Sequence, residues 1–333
     1  MKKLLFLLVC INITTSCKQN EFKVDLSGTK VDLNIKRLDA DLYNLNMDST
    51  VPAVDHLIEK YAGFLSLYSN RVIGIGDPNL PNYPERLKLF LTDYTIYRAF
   101  NNVMEEYPEI EFIREGLTKA FRYYKYYFPD KPIPQVYTII SGFNQSLVVD
   151  ENSLAIALDK YLGRENEIYD RLMVNKYLRT NMHKGMIVSD CMKAWGLTEF
   201  PFSDSTDNLI SNMLYNGKIH YFQRAMLPDG PDSIIMGFTP EQTAWCVAQE
   251  KQMWQYLVEM KLFFETDYII INKFNQEAPF TKDFGKDSPG RAANWLGWQI
   301  VKSYMKKNPE VTLNELMKDN NYLRILQKAK YHP

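Results

Sequence analysis

What most limits the fold of this chain is where it can form strands. Gln135–Ile140, Gln145–Val149 and Ser153–Leu158 are short runs rich in Val, Ile and Leu. Gly142 and Asn144 separate the first two, and Asp150-Glu151-Asn152 separates the others. This spacing predicts a meander of short strands. Val31–Leu38 alternates apolar and polar residues, which predicts one more half-buried strand. On either side of the β-rich stretch, apolar residues recur at helical spacing. Val54, Leu57, Ile58, Tyr61 and Leu65 share a face. So do Leu87, Phe90, Leu91 and Tyr94 after Pro84, and Ile110, Ile113, Leu117, Ala120, Phe121 and Tyr124 after Pro108. Thr239-Pro240-Glu241-Gln242 and Thr312-Leu313-Asn314-Glu315 are capping boxes, and Ser288-Pro289 reads as a further helix start. The expected fold is α+β and mostly helical, with an N-terminal helical region and a small, mainly antiparallel sheet. No repeat, low-complexity tract or linker divides residues 29–333, so they are expected to form a single domain.

The N-terminus gives an address. Two lysines precede the apolar run Leu4–Ile13, and Thr14-Thr15-Ser16-Cys17 follows. This is the pattern of a secretory signal. The run is too short to span a bilayer, which takes about 20 apolar residues. A cysteine after small residues at the cleavage point makes it a lipoprotein signal. Residues 1–16 are then removed, Cys17 carries the lipid, and residues 17–28 form a tether. Each buried CH₂ adds about 0.8 kcal/mol, and stable anchoring takes more than one acyl chain. The expected location is the bacterial cell envelope, facing the periplasm or associated with the outer membrane, with the membrane held through Cys17.

Charge and motifs exclude several classes. Lys and Arg number 39 against 40 Asp and Glu, a net charge of −1. That balance supplies no drive toward nucleic acid, which is not an expected partner. Arg122–Phe128 interleaves cations and rings, but reads as a helix end on which Arg122 and Lys125 snorkel. Cys191 and Cys246 read as separate buried thiols. The sequence has no His-Glu-x-x-His, no Gly-x-Ser-x-Gly and no phosphate loop. A metal could be shared by His183 and Asp190 with His220 from the next helix. The other reading of these histidines is ordinary hydrogen bonding. Asp39 and Asp41 read as a solvated strand end. Trp295, Trp298 and Tyr304 on one helix, with Trp245 and Trp254 on an earlier one, read as packing through large rings; the alternative is an aromatic groove for a peptide or glycan.

Stretches in order along the chain resemble the gliding-motility lipoprotein GldB family. They start with Cys17 and Arg37-Leu38-Asp39-Ala40-Asp41-Leu42-Tyr43. Leu158-Asp159-Lys160-Tyr161-Leu162-Gly163 and Gly217-Lys218-Ile219-His220-Tyr221-Phe222 follow, then Gly237-Phe238-Thr239 and Trp245-Cys246. Ser288-Pro289-Gly290-Arg291, Gly297-Trp298-Gln299-Ile300-Val301 and Lys330-Tyr331-His332-Pro333 complete the set. The resemblance implies an envelope lipoprotein needed for surface gliding and its linked secretion machinery, or for envelope assembly more generally. Its expected partners are other envelope or secretion-machinery proteins. It is expected to be non-catalytic and to need no cofactor. The alternative is an envelope hydrolase acting on peptide or cell-wall substrate.

The second half is also similar to a zincin-like, gluzincin-type metallopeptidase core: strands, then helices around Met182–Trp195 and Asn208–Met226. Overlaying the two metal-binding helices puts Ser189, Asp190 and Lys193 on the first motif and Asn216 at the third ligand. That implies a degenerate cleft with no metal. An ammonium at Lys193 opposes a dication, and Asp190 has no metal-bound water to serve. Without the overlay, the same four residues are ordinary helix-surface positions. The lipid reading predicts that Cys17→Ala moves the protein from the membrane fraction to the soluble envelope fraction on cell fractionation. Unchanged membrane association would remove it.

Overall fold

Strand burial, more than strand spacing, sets the sheet. In the computed structural model, which describes residues 21–46, 50–202 and 207–333, the strands are β1 (Ile35–Arg37), β2 (Gln135–Ile139), β3 (Leu147–Val149) and β4 (Ser153–Ala157). Their order is β1-β2-β4-β3. β1 runs parallel to β2 with Ile35 opposite Val136, and β2 runs parallel to β4 with Val136 opposite Leu154. β3 alone is antiparallel, with Val148 opposite Ala155 of β4. The sheet is therefore mixed, and the expected antiparallel meander is corrected. Val136–Ile139 and Leu154–Ala157 are buried along their length, as strands covered on both faces are, so they pair centrally. The half-buried β3 is left at the edge, joined to β4 through Asp150–Asn152. Cys17 and the signal lie outside the described residues.

Five helices follow the first strand: α1 (Leu38–Tyr43), α2 (Thr50–Leu67), α3 (Tyr83–Thr92), α4 (Tyr94–Glu106) and α5 (Glu111–Tyr127). The predicted stripes of α2 and α5 are buried: Val54, Leu57, Tyr61 and Leu65 on one, Ile113, Leu117, Ala120, Phe121 and Tyr124 on the other. The stripe after Pro84 breaks at Asp93. Its carboxylate accepts from Thr95 N (2.9 Å) and Ile96 N (3.1 Å) and starts α4, which leaves Tyr94 exposed. Asp39 is no solvated strand end. It is buried on α1, accepting from Arg37 Nη2 (2.8 Å) and from the Thr138 hydroxyl.

After the sheet come the short α6 (Glu167–Arg171) and α7 (Lys176–Arg179), then α8 (Ile187–Glu199), α9 (Leu209–Met226), α10 (Asp232–Met236) and α11 (Pro240–Glu259). α12 (Tyr268–Asn275), α13 (Ala293–Lys307), α14 (Leu313–Lys318) and α15 (Tyr322–Ala329) follow. The capping boxes at Thr239 and Thr312 are formed, and Asn208 with Ser211 makes another at the head of α9. Ser288 does not start a helix. Its hydroxyl donates to Thr281 O (3.0 Å) and ties a loop, and α13 begins at Ala293. Trp295, Trp298 and Tyr304 are buried in the core, and Cys191 and Cys246 are separate buried thiols. Among the described residues no helix is long and apolar enough to cross a membrane.

Helices α9 and α13 pack backbone to backbone. A Cβ at Gly217 would lie 2.3 Å from Gly297 O, and one at Gly297 would lie 1.9 Å from Met213 O. Main chain cannot step aside as a flexible side chain can. Gly297→Ala should therefore cost at least about 2 kcal/mol of unfolding free energy, in the range for overpacked cores. A lowered urea midpoint at unchanged m value checks this.

Candidate functional site

The site is a cleft of about 160 Å³ where the C-terminal end of the sheet meets α7, α8, α9 and α10. Its first wall is fixed by a buried carboxylate. Asp159 accepts from Ser141 N (3.0 Å) and Phe143 N (2.7 Å), closing the turn after β2 in which Gly142 and Phe143 are left-handed. Burial raises the Asp159 carboxyl above its ordinary value, and these hydrogen bonds oppose the shift. The Tyr169 hydroxyl donates to Asp159 O (2.9 Å) and accepts from Leu162 N (3.0 Å), and Tyr107 donates to Tyr161 O. Lys160 and Tyr161 therefore stand on a rigid base.

The opposite wall is built around Arg291. Its backbone is left-handed (φ 51°) just before α13. Its guanidinium donates to Met236 O (2.8 Å) and Gly237 O (3.1 Å) and pairs with Glu277 at 2.7 Å. Asn181 Nδ2 also donates to Gly237 O (2.9 Å). Gly237 has φ +62°, and a Cβ there would sit 3.0 Å from Arg291 Nη2, so only glycine fits the turn without strain.

Between the walls lies α8. Asp190 accepts from the Tyr161 hydroxyl at 3.0 Å. Burial pushes its carboxyl up to about 6, against the pull of Lys193, Tyr161 and Arg291. Lys193, one turn further on, also faces the cleft. Among the described residues its ammonium has no hydrogen-bond or ion-pair partner within 4 Å. Burial lowers it to about 8, and Arg291 adds to the shift. The floor is Gln223 of α9, whose Nε2 donates to Ser189 O and Oγ (both 3.1 Å).

The sequence-predicted residues thus separate. Asp190 and Lys193 line the cleft, and Ser189 lies behind them, donating to Ile234 O at 3.0 Å. Asn216 lies two turns before Gln223 on α9, outside the cleft lining, and donates to Asn212 O of its own helix (2.9 Å). His183 accepts from Gly185 N (3.2 Å). His220 is buried, bonded to Gln223 Oε1 (2.9 Å), and burial holds it well below its ordinary value. Among the described residues no three His, Cys, Asp or Glu side chains are grouped to hold a metal ion, so His183, Asp190 and His220 do not form that set.

Tyr161, Gln223, Glu277 and Arg291 escaped motif reading. Tyr161 and Arg291 do fall within stretches that carry the family resemblance, and Gln223 follows another directly.

The raised Asp190 carboxyl carries a sign. The folded state binds its proton more tightly than the unfolded chain, so this contribution to stability is present below about pH 4 and lost as pH rises through about 6. Asp190→Asn keeps an acceptor for Tyr161 without the buried charge. It should be more stable than the parent above pH 6, by about 1–3 kcal/mol, and indistinguishable near pH 4. Urea titrations at the two pH values read the difference.

The family model described as gliding motility protein GldB matches residues 19–333. No curated protein and no solved structure matches the chain.

Proposed function

This chain belongs to the gliding motility protein GldB family, and on that premise we propose that it is a non-catalytic, lipid-anchored envelope protein that serves gliding, its linked secretion machinery or envelope assembly by holding a partner in the Asp190–Lys193 cleft. The family implies a role in gliding motility. Signal cleavage, acylation of Cys17 and exposure to the periplasm or at the outer membrane belong to the proposal.

The observation that carries the cleft reading is Lys193. A half-buried ammonium without a protein hydrogen bond is costly, and the cost is offset when a partner supplies an acceptor. Arg291 and Lys160 stand in the same cleft against Asp190 and Glu277, so the lining carries a surplus of positive charge when all are ionised. A carboxylate or carbonyl from a partner protein fits that lining. The rigid walls mean that little ordering is needed on binding.

A zincin-like ancestry of the core is part of the proposal. What supports it is the contact of Ser189 on α8 with Gln223 on α9, two positions that would have to approach one metal. Gln223, rather than Asn216, would then stand at the third ligand's place.

The test is crosslinking in cells expressing the full-length protein. Lys193→Glu should reduce the crosslinked partner at least five-fold with membrane association unchanged. Lys193→Met, which removes the buried charge at similar size, should weaken capture with equal or greater thermal stability. Full capture by both variants would sink the cleft reading. Stoichiometric zinc in the purified protein would replace it with the hydrolytic one.

A further inference from the structure

The chain enters the described structure at a second, larger hollow. Glu21 and Phe22 form one wall of a groove of about 620 Å³, faced by Tyr126 and Tyr127 at the end of α5, Tyr221 of α9 and Val311 before α14. Its walls are mainly apolar. Tyr126 is 45% exposed and meets Tyr127 edge-on at 5.1 Å. Lys306 is exposed at the rim.

From Glu21 on, the segment expected to be a tether lies against the body. Phe22 packs edge-on against Tyr221 at 5.1 Å. Lys23 pairs with Asp229 at 2.7 Å, which also holds Lys119 at 2.8 Å. Arg122 donates to Leu26 O (2.8 Å) and Thr29 O (2.9 Å), so the backbone is clamped on both sides of Ser27 and Gly28. Cys17 is four residues before Glu21, so chain length alone puts it at most about 14 Å from there. Acyl chains on Cys17 must then enter the bilayer within about that distance of the groove's edge.

We infer that the groove face rests on the lipid bilayer, with Tyr126 and Tyr127 at headgroup level and Lys306 reaching lipid phosphate. The inference rests on the acylation of Cys17 proposed above. A lipid surface suits the chemistry: tyrosine presents an apolar ring and a polar tip, and lysine snorkels. Because Glu21 shares the rim with Lys306, the contact depends on apolar burial and on the short tether rather than on net charge. The docked entry segment fixes which side of the body faces the membrane and leaves the rest to meet partners.

The test uses acylated full-length protein in phosphatidylethanolamine–phosphatidylglycerol vesicles. A bimane label is placed through Tyr126→Cys, or through Leu89→Cys on α3, a 72% exposed position outside the groove. Brominated phospholipid should quench the label at 126 at least two-fold more than the label at 89. Vesicle flotation is read in the same samples. If the protein floats and the two labels quench equally, the inference fails while the anchor stands. If it does not float, the acylation reading fails and takes the inference with it. Shielding of position 126 in native membranes without quenching in pure vesicles assigns the groove to a protein partner and also overturns it.

Discussion

The close approach of α9 to α13 is the contact on which the rest of the molecule depends. Gly217 and Gly297 let the two main chains touch, and no side chain separates them. One end of α9 then presents Gln223, bonded to His220, to α8, while the loop before α13 delivers Arg291 to the turn at Gly237. The floor and the far wall of the cleft are both set by this one packing arrangement. Tryptophans at 295 and 298, meeting edge-on at 5.9 Å, fill the space beside it.

Within that frame the cleft holds its charges in unequal states of satisfaction. Arg291 is committed on every side, to two carbonyls and to Glu277. Asp190 has Tyr161. Among the described residues Lys193 has no hydrogen bond; Glu277 and Asp190 attract it through space, against Arg291. On the proposed reading the locked groups give the cleft its shape and Lys193 is the group a partner would engage. Burial moves Asp190 and Lys193 toward neutrality from opposite directions, so the pair responds to pH and to any occupant that restores hydrogen bonds.

Under the two proposals the two hollows have separate tasks. The Tyr126–Tyr127 groove lies beside the entry of the chain, and the charged cleft shares none of its lining residues. With Cys17 as the proposed anchor, the face at the entry would decide which surfaces stay open to other proteins. The clamp of Arg122 on Leu26 O and Thr29 O makes that choice part of the fold rather than of the anchor.

Much of the local structure was legible in the sequence, because periodicity and capping are short-range. The stripes of α2 and α5 and the boxes at Thr239 and Thr312 follow from residues within a turn or two of one another. Spacing misled where a polar side chain took a partner that periodicity does not show, near in sequence for Asp93 and Ser288 and distant only for Thr138 with Asp39. Asp93 became a cap for α4, Asp39 was drawn inside by Arg37 and Thr138, and Ser288 turned to the loop at Thr281. Sheet order was also beyond the sequence, since a run of apolar residues does not say which neighbour it will pair with. Ser189, Asp190 and Lys193 of α8 were named through the resemblance to a metallopeptidase helix, whereas Gln223, Glu277 and Arg291 come from elements far apart in the chain. The sequence by itself determined the buried stripes of α2 and α5, the two capping boxes, the lipid-signal pattern at Cys17 and the family resemblance, all carried by residues close together in the chain. Only the tertiary structure decided the parallel pairing of β2 with β4, the place of Arg291 opposite Asp190 and Lys193, and the docking of residues 21–29, because each depends on surfaces that exist only once distant segments have packed.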